Sequence, residues 1–168
     1  GVRDITLSKT QSVFLKPFKG RLVFKKNRDF SFSGFISAGS GRFNLFGKKF
    51  DFIYDDFKIN LNKIDSVRLK VPKLPVKKDM YGNELLTDVK TVLQSVTGDL
   101  VIDNENNKSG IYRDSFPNYP IFRSFERSFV YYDDKSIFNS VYDRENFYFH
   151  LDPFEIDSLE NYSGKGLA

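Results

Sequence analysis

Between residues 20 and 71 apolar side chains recur at nearly every second position, and polar side chains fill the places between them. Leu22 and Phe24 are followed by Phe30, Phe32 and Ile36, then Phe43 and Leu45, then Phe50, Phe52 and Tyr54. Phe57, Ile59 and Leu61 come next, and Val67, Leu69 and Val71 close the run. Successive side chains on a strand point to opposite faces, so a period of two predicts short strands with one apolar and one charged face. The interruptions are rich in Gly, Asn and Asp, at 27–29, 38–41, 47–49, 55–56 and 62–63. These residues accept the positive φ angles of tight turns.

Residues 72–78, Val-Pro flanked and lysine-rich, read as a Pro-containing connector. Beyond it the spacing changes. Leu85, Leu86, Val89, Val92, Leu93 and Val96 fall at i, i+3, i+4 and i+7, which predicts an amphipathic helix over 83–96 capped by Asn83 and stopped by Gly98.

Two stretches are near-copies. Residues 50–60 and 147–157 share Phe at the first, third and eighth places, Asp at the sixth and Ile at the tenth. Gly98, Leu100 and Val101 likewise echo Gly20, Leu22 and Val23. The expectation is a mainly β chain of two related units: 1–71, a connector and helix over 72–97, and 98–168 with an inserted loop near 109–132. The pattern leaves open a sandwich, a meander or a solenoid-like stack.

Nineteen Phe and nine Tyr with no Trp demand a substantial core. With no Cys, disulfides and thiolate metal sites are excluded. No apolar run reaches the roughly 18 residues of a membrane-spanning helix. The start at Gly1 without a leader pattern suggests an excised or mature piece, and 163–168 reads as a linker into further chain. Charge divides unevenly: residues 1–78 carry 18 Lys and Arg against 6 Asp and Glu, and residues 79–168 carry 8 against 16. The basic half permits a polyanionic partner, although contact between unlike units explains it as well.

Catalytic signals are sparse. The adjacent acids Asp55–Asp56 and Asp133–Asp134 would face opposite ways on a strand, unlike the facing carboxylates of glycoside hydrolysis. His150 is the single histidine and is expected on a strand, facing away from Phe149 and Leu151. No nucleophile elbow and no phosphate-binding glycine motif occurs. Residues 103–110 are the most polar stretch, and Asp103, Glu105, Asn107 and Asp114 supply the oxygen donors a calcium ion takes. Lys108 stands where a calcium loop needs Gly, so an Asn-rich turn explains the same residues; no other cofactor is indicated. Tyr112, Tyr119, Tyr131 and Tyr132 would suit stacking on a glycan or contact with lipid. Nucleic-acid stacking by Phe24, Phe30 and Phe32 among Lys25, Lys26 and Arg28 is disfavoured because those rings keep core periodicity.

The runs Gly-Arg-Leu-Val-Phe from Gly20, Phe-Ser-Gly-Phe-Ile-Ser-Ala-Gly from Phe32, Phe-Asn-Leu-Phe-Gly-Lys-Lys-Phe-Asp-Phe from Phe43 and Phe-Lys-Ile-Asn-Leu-Asn-Lys-Ile-Asp-Ser from Phe57 resemble segments of very large repetitive β-rich cell-envelope proteins of Bacteroidetes-type bacteria. They also resemble the β-groove segments of bridge-like lipid carriers. The expectation is a non-enzymatic structural or interaction module of a larger secreted or envelope-associated protein, with other domains of its parent chain or envelope proteins as partners; the resemblance itself carries no assigned activity. It assigns no residue a role. A glycan- or lipid-binding β module and a carbohydrate-active enzyme fragment are the alternatives.

Overall fold

A computed structural model describes residues 4–114, 116–132 and 149–164, and its described residues form one antiparallel sheet of thirteen strands. In chain order these are β1 (Ile5–Ser8), β2 (Val13–Pro17), β3 (Val23–Phe24), β4 (Phe30–Ala38), β5 (Phe43–Ile53), β6 (Lys58–Ile64) and β7 (Ser66–Pro72). There follow β8 (Leu86–Gln94), β9 (Val96–Val101), β10 (Ile121–Ser124), β11 (Ser128–Tyr132), β12 (Phe149–Leu151) and β13 (Glu155–Ile156).

The pairing is simpler than that count suggests. β5 pairs with β6 along one half and with β7 along the other. β8 and β9 lie against β7 and β6, β11 and β10 against β8 and β9, and β12 and β13 against β11 and β10. Each couple is therefore one long strand broken by a bend, and the strands neighbour one another in sequence order. The fold is an up-and-down meander whose every long strand turns a corner.

The corners align. On β4 and β5 the bend falls where Gly34 pairs with Gly47 beside a bulge. On the next strand it falls at Lys63 to Asp65, with Lys63 at φ 44°, and on the next at Ser95, φ 55°. Strands that bend at bulges let a sheet fold over its own apolar face. The closure is visible in the rings: Phe43 of β5 lies 6.1 Å from Phe122 of β10 and 5.0 Å from Tyr162. Leu159, fully buried, packs against the turn at Gly39.

Alternation fills the space between the layers. Across one row, registered pairs run from Phe24, exposed at the sheet edge, through the inward Phe30–Phe52–Ile59–Leu100–Phe122 to Ile156. The rings of Phe30 and Phe52 stack at 4.7 Å, and those of Phe32 and Phe50 lie 5.1 Å apart. Burying each such side chain contributes roughly 1.5–3 kcal/mol. One residue along, the outward row reads Val23–Ser31–Asp51–Asn60–Asp99–Arg123–Glu155, polar from Ser31 onward.

The helix expected over 83–96 does not form; Leu86–Gln94 is β8. Val89 and Leu93 face the core on β8, and the left-handed Ser95 resets the phase so that Val96 faces it too on β9. A bent strand thus reproduces the 4-then-3 spacing of a helix. The β-branched Thr87, Val89, Thr91, Val92 and Val96 favour the strand. Asn83 caps no helix, and Gly98 lies inside β9 between Leu61 and Ser124. Residues 43–54, read from sequence as two strands, are a single β5 to Ile53.

The described residues of 1–71, 72–97 and 98–168 contribute neighbouring strands to this one sheet. The near-copies take different paths: 50–60 reverses direction as the β5–β6 hairpin, whereas Phe149–Leu151 continues past a bend into β13 along the same neighbour. Phe147 and Tyr148 lie outside the described residues. Within the stretch expected to be an inserted loop, 121–132 supplies β10 and β11.

Candidate interaction surface

The connector between β7 and β8 is an ordered arm. Lys73 N–H donates to Leu85 O at 2.8 Å, Leu85 N–H to Lys77 O at 2.8 Å and Asp79 N–H to Asn83 O at 2.8 Å, while Lys78 and Glu84 form a bridge. At the tip the Asp79 carboxylate accepts from Asn83 N–H at 3.0 Å, from Asn83 Nδ2 at 3.3 Å and from Tyr81 N–H at 2.8 Å. Those bonds, the Asn83 backbone N–H foremost, hold the Asp79 carboxyl below its ordinary range. Gly82 supplies the left-handed corner at φ 84°.

The base is fixed as firmly. Arg42, buried in the turn between β4 and β5, donates from Nη2 to Glu84 Oε2 at 2.9 Å and from Nη1 to Gly39 O at 3.4 Å. Between base and tip the arm leaves apolar side chains in water. Met80 is 87% exposed, Tyr81 82% and Leu74 83%, and Val76 and Leu85 are exposed as well. Lys73, Lys77 and Lys78 stand exposed among them. Clustered apolar exposure on a hydrogen-bonded scaffold is the mark of a contact surface. By sequence 72–78 reads as a connector; the sign of the arm lies in the turn chemistry of Asp79, Gly82 and Asn83 after the exposed Leu74 and Val76.

The residues proposed for calcium are held differently. Asp103 and Asn107 are fully buried, and Asn107 Nδ2 donates to Asp103 Oδ2 at 3.0 Å and to Arg113 O at 3.2 Å. Asn107 Oδ1 accepts from the backbone N–H groups of Tyr112 and Arg113, each at 2.9 Å. Asp103 Oδ1 accepts from Asn104 N–H at 2.7 Å. Asn107 thereby staples the loop shut, and burial pushes the Asp103 carboxyl up from its ordinary value. Glu105 and Asp114 are exposed. Among the described residues no three Asp, Glu or His side chains converge as a metal site would require.

The tyrosines are spread over three parts of the chain, with Tyr131 and Tyr132 adjacent on β11. Tyr112 is exposed just after the 3-10 turn Glu105–Gly110, Tyr119 meets Phe116 edge-on at 6.5 Å, and Tyr131 is on β11 opposite Val92. The side chain of Tyr132 lies outside the described residues. His150 sits on β12 with its ring 4.9 Å from Phe129.

Asp99 is a buried charge that sequence reasoning missed. It lies on the polar row at 0% exposure, accepting from Arg123 Nε at 2.6 Å, with Lys58 Nζ 3.6 Å away. This carboxylate raises the pKa of Arg123. Its alternating register with Asn60 and Arg123 gave no sign that the outer face would be covered there. Asp51, on the same row, is half-exposed and bound to Lys25 at 2.7 Å and Ser31 at 2.6 Å. A shallow cavity of about 310 Å³ over β2 and β4 has Asp4 and Lys16 as its charged lining residues.

No protein-family model matches this chain, and neither a curated protein nor a solved structure matches it.

Proposed function

We propose that this chain is a non-enzymatic interaction module of a larger secreted or envelope-associated protein, docking through the arm at 73–85. The observation that carries the reading is an ordered hairpin whose backbone is bonded at base and tip while Leu74, Met80 and Tyr81 remain in water. A segment that adds nothing to the core yet keeps a fixed shape binds with little ordering cost. Interleaved lysines fit a partner with an apolar cleft and an acidic rim, on another domain of the parent chain or an envelope protein. The envelope setting rests on the resemblance of the strand segments.

A photo-reactive amino acid at Tyr81, with Glu126 as the control position, tests this in intact cells. A discrete protein adduct at position 81 and none at 126 is the expected outcome. The same adducts at both positions, or none at 81, overturn it.

A further inference from the structure

A second surface has a different chemistry. Residues 16–28 run along β4 on the side away from β5: Lys16 and Pro17 close β2, a 3-10 turn spans Phe18–Gly20, β3 pairs Val23 and Phe24 with Ser31 and Phe30, and a second turn spans Lys26–Arg28. Within these residues Lys16, Lys19, Arg21, Lys25, Lys26 and Arg28 are all exposed, and no acid occurs. Lys25 is paired with Asp51 and Arg28 donates to Tyr54 Oη at 3.0 Å. The other four make no ion pair among the described residues. Beside them Phe24 is 75% exposed, Val23 63% and Phe18 53%.

We propose that this edge docks on an anionic lipid surface. Lysines along an edge strand ordinarily guard it against pairing with another sheet. Guarding does not call for three apolar side chains in water beside them. Cations interleaved with protruding aromatic and aliphatic side chains match the two attractions of an anionic bilayer, charge at the headgroups and apolar burial beneath them. A single-stranded nucleic acid would want flat ring faces, whereas Phe24 is propped edge-on against Phe30 at 61°, Val23 is aliphatic, and Arg28 lies over the Tyr54 ring at 4.9 Å.

The fold adds an independent argument. Because the strands neighbour one another in sequence order, the described strands of the basic first half come before those of the acidic second half along the sheet, with β3 and β13 at the two ends of one registered row. An anionic surface would therefore orient the molecule with β3 toward it and β10 to β13 away.

Co-sedimentation of the full chain with phosphatidylcholine vesicles, with and without phosphatidylglycerol, tests the proposal. Binding is expected only with phosphatidylglycerol, and it weakens as salt rises. K19E/R21E/K26E should lower the partition about 100-fold or more, and the neutral K19Q/R21Q/K26Q should change it in the same direction. F18S/V23S should lower it several-fold. K73E/K77E/K78E, which alters charge equally but on the arm, should stay within about twofold of the parent chain. Equal binding to both vesicles or to neither, an equal loss from the arm variant, or tighter binding to a single-stranded oligonucleotide than to the anionic vesicles would each overturn it. The arm's own role is read separately, by the cross-link at position 81.

Discussion

Arg42 and Glu84 meet at 2.9 Å and join the turn between β4 and β5 to the base of the arm. The pair is asymmetric: the Arg42 side chain is 10% exposed and that of Glu84 36%. Arg42 Nε is buried and has no hydrogen-bond partner among the described residues, so Glu84 and Gly39 O carry the solvation of the guanidinium.

Glu84→Ala should therefore cost more than Arg42→Met, since it strands a buried cation whereas the latter leaves a carboxylate that water reaches. We expect about 2 kcal/mol against about 1 kcal/mol in urea unfolding. The reverse order would show that Glu84 does not solvate Arg42. Hydrogen exchange at the Lys73 and Leu85 amides should also quicken in Glu84→Ala.

Asp99 and Arg123 should behave as a coupled pair. Arg123→Met leaves Asp99 with Lys58 alone and should cost about 3 kcal/mol, whereas the double variant D99N/R123M should cost less than the sum of its singles by roughly 1 kcal/mol or more. Additive costs would mean that the bidentate contact is not formed in solution.

Asn107→Asp sets a second carboxylate against Asp103. Burial already raises the Asp103 carboxyl from its ordinary value. Such a group contributes stability at low pH that is lost as pH rises through the raised native value. Asn107→Asp should consequently depress Tm most at neutral pH and recover as pH falls from about 7 to 4, a trend opposite to ordinary acid destabilisation. Asn107→Ala, which merely loses the staple, should lower Tm without that recovery.

Gly98→Ala should be among the most damaging single changes, because a Cβ there would run into the carbonyl of Arg123 on β10. About 3 kcal/mol is expected from thermal or urea unfolding. Gly82→Ala meets no neighbour and bears only the strain of φ 84°, about 1 kcal/mol. Comparable costs would mean that β9 and β10 approach less closely than described.

Calcium should leave the chain unmoved. The Asp103 and Asn107 side chains are spent on loop closure, so Tm with calcium and with chelator should coincide. A rise of several degrees with calcium would show that the loop opens to bind it.

Much of the sheet was readable because burial repeats every second residue along β4 to β7, where Phe30, Phe32, Phe43, Phe50 and Phe52 all prove buried. β8 and the start of β9 were not, because one left-handed residue, Ser95, shifts the phase and imitates a helix. The arm at 73–85 was legible only as turn chemistry. Whether Leu74 or Met80 finds a partner depends on what folds over it, and periodicity is silent on that.

The sequence by itself determined which side chains share a face, where the chain can reverse, and that charge is split between its halves. Those properties follow from the covalent order and the two-residue pleat. Only the tertiary structure decided that the strands bend along one line and close on themselves, bringing Phe43 against Phe122 and sealing Asp99 beneath Arg123. Such contacts join residues far apart in the chain, and their energy comes from excluding water between surfaces that no local pattern brings together.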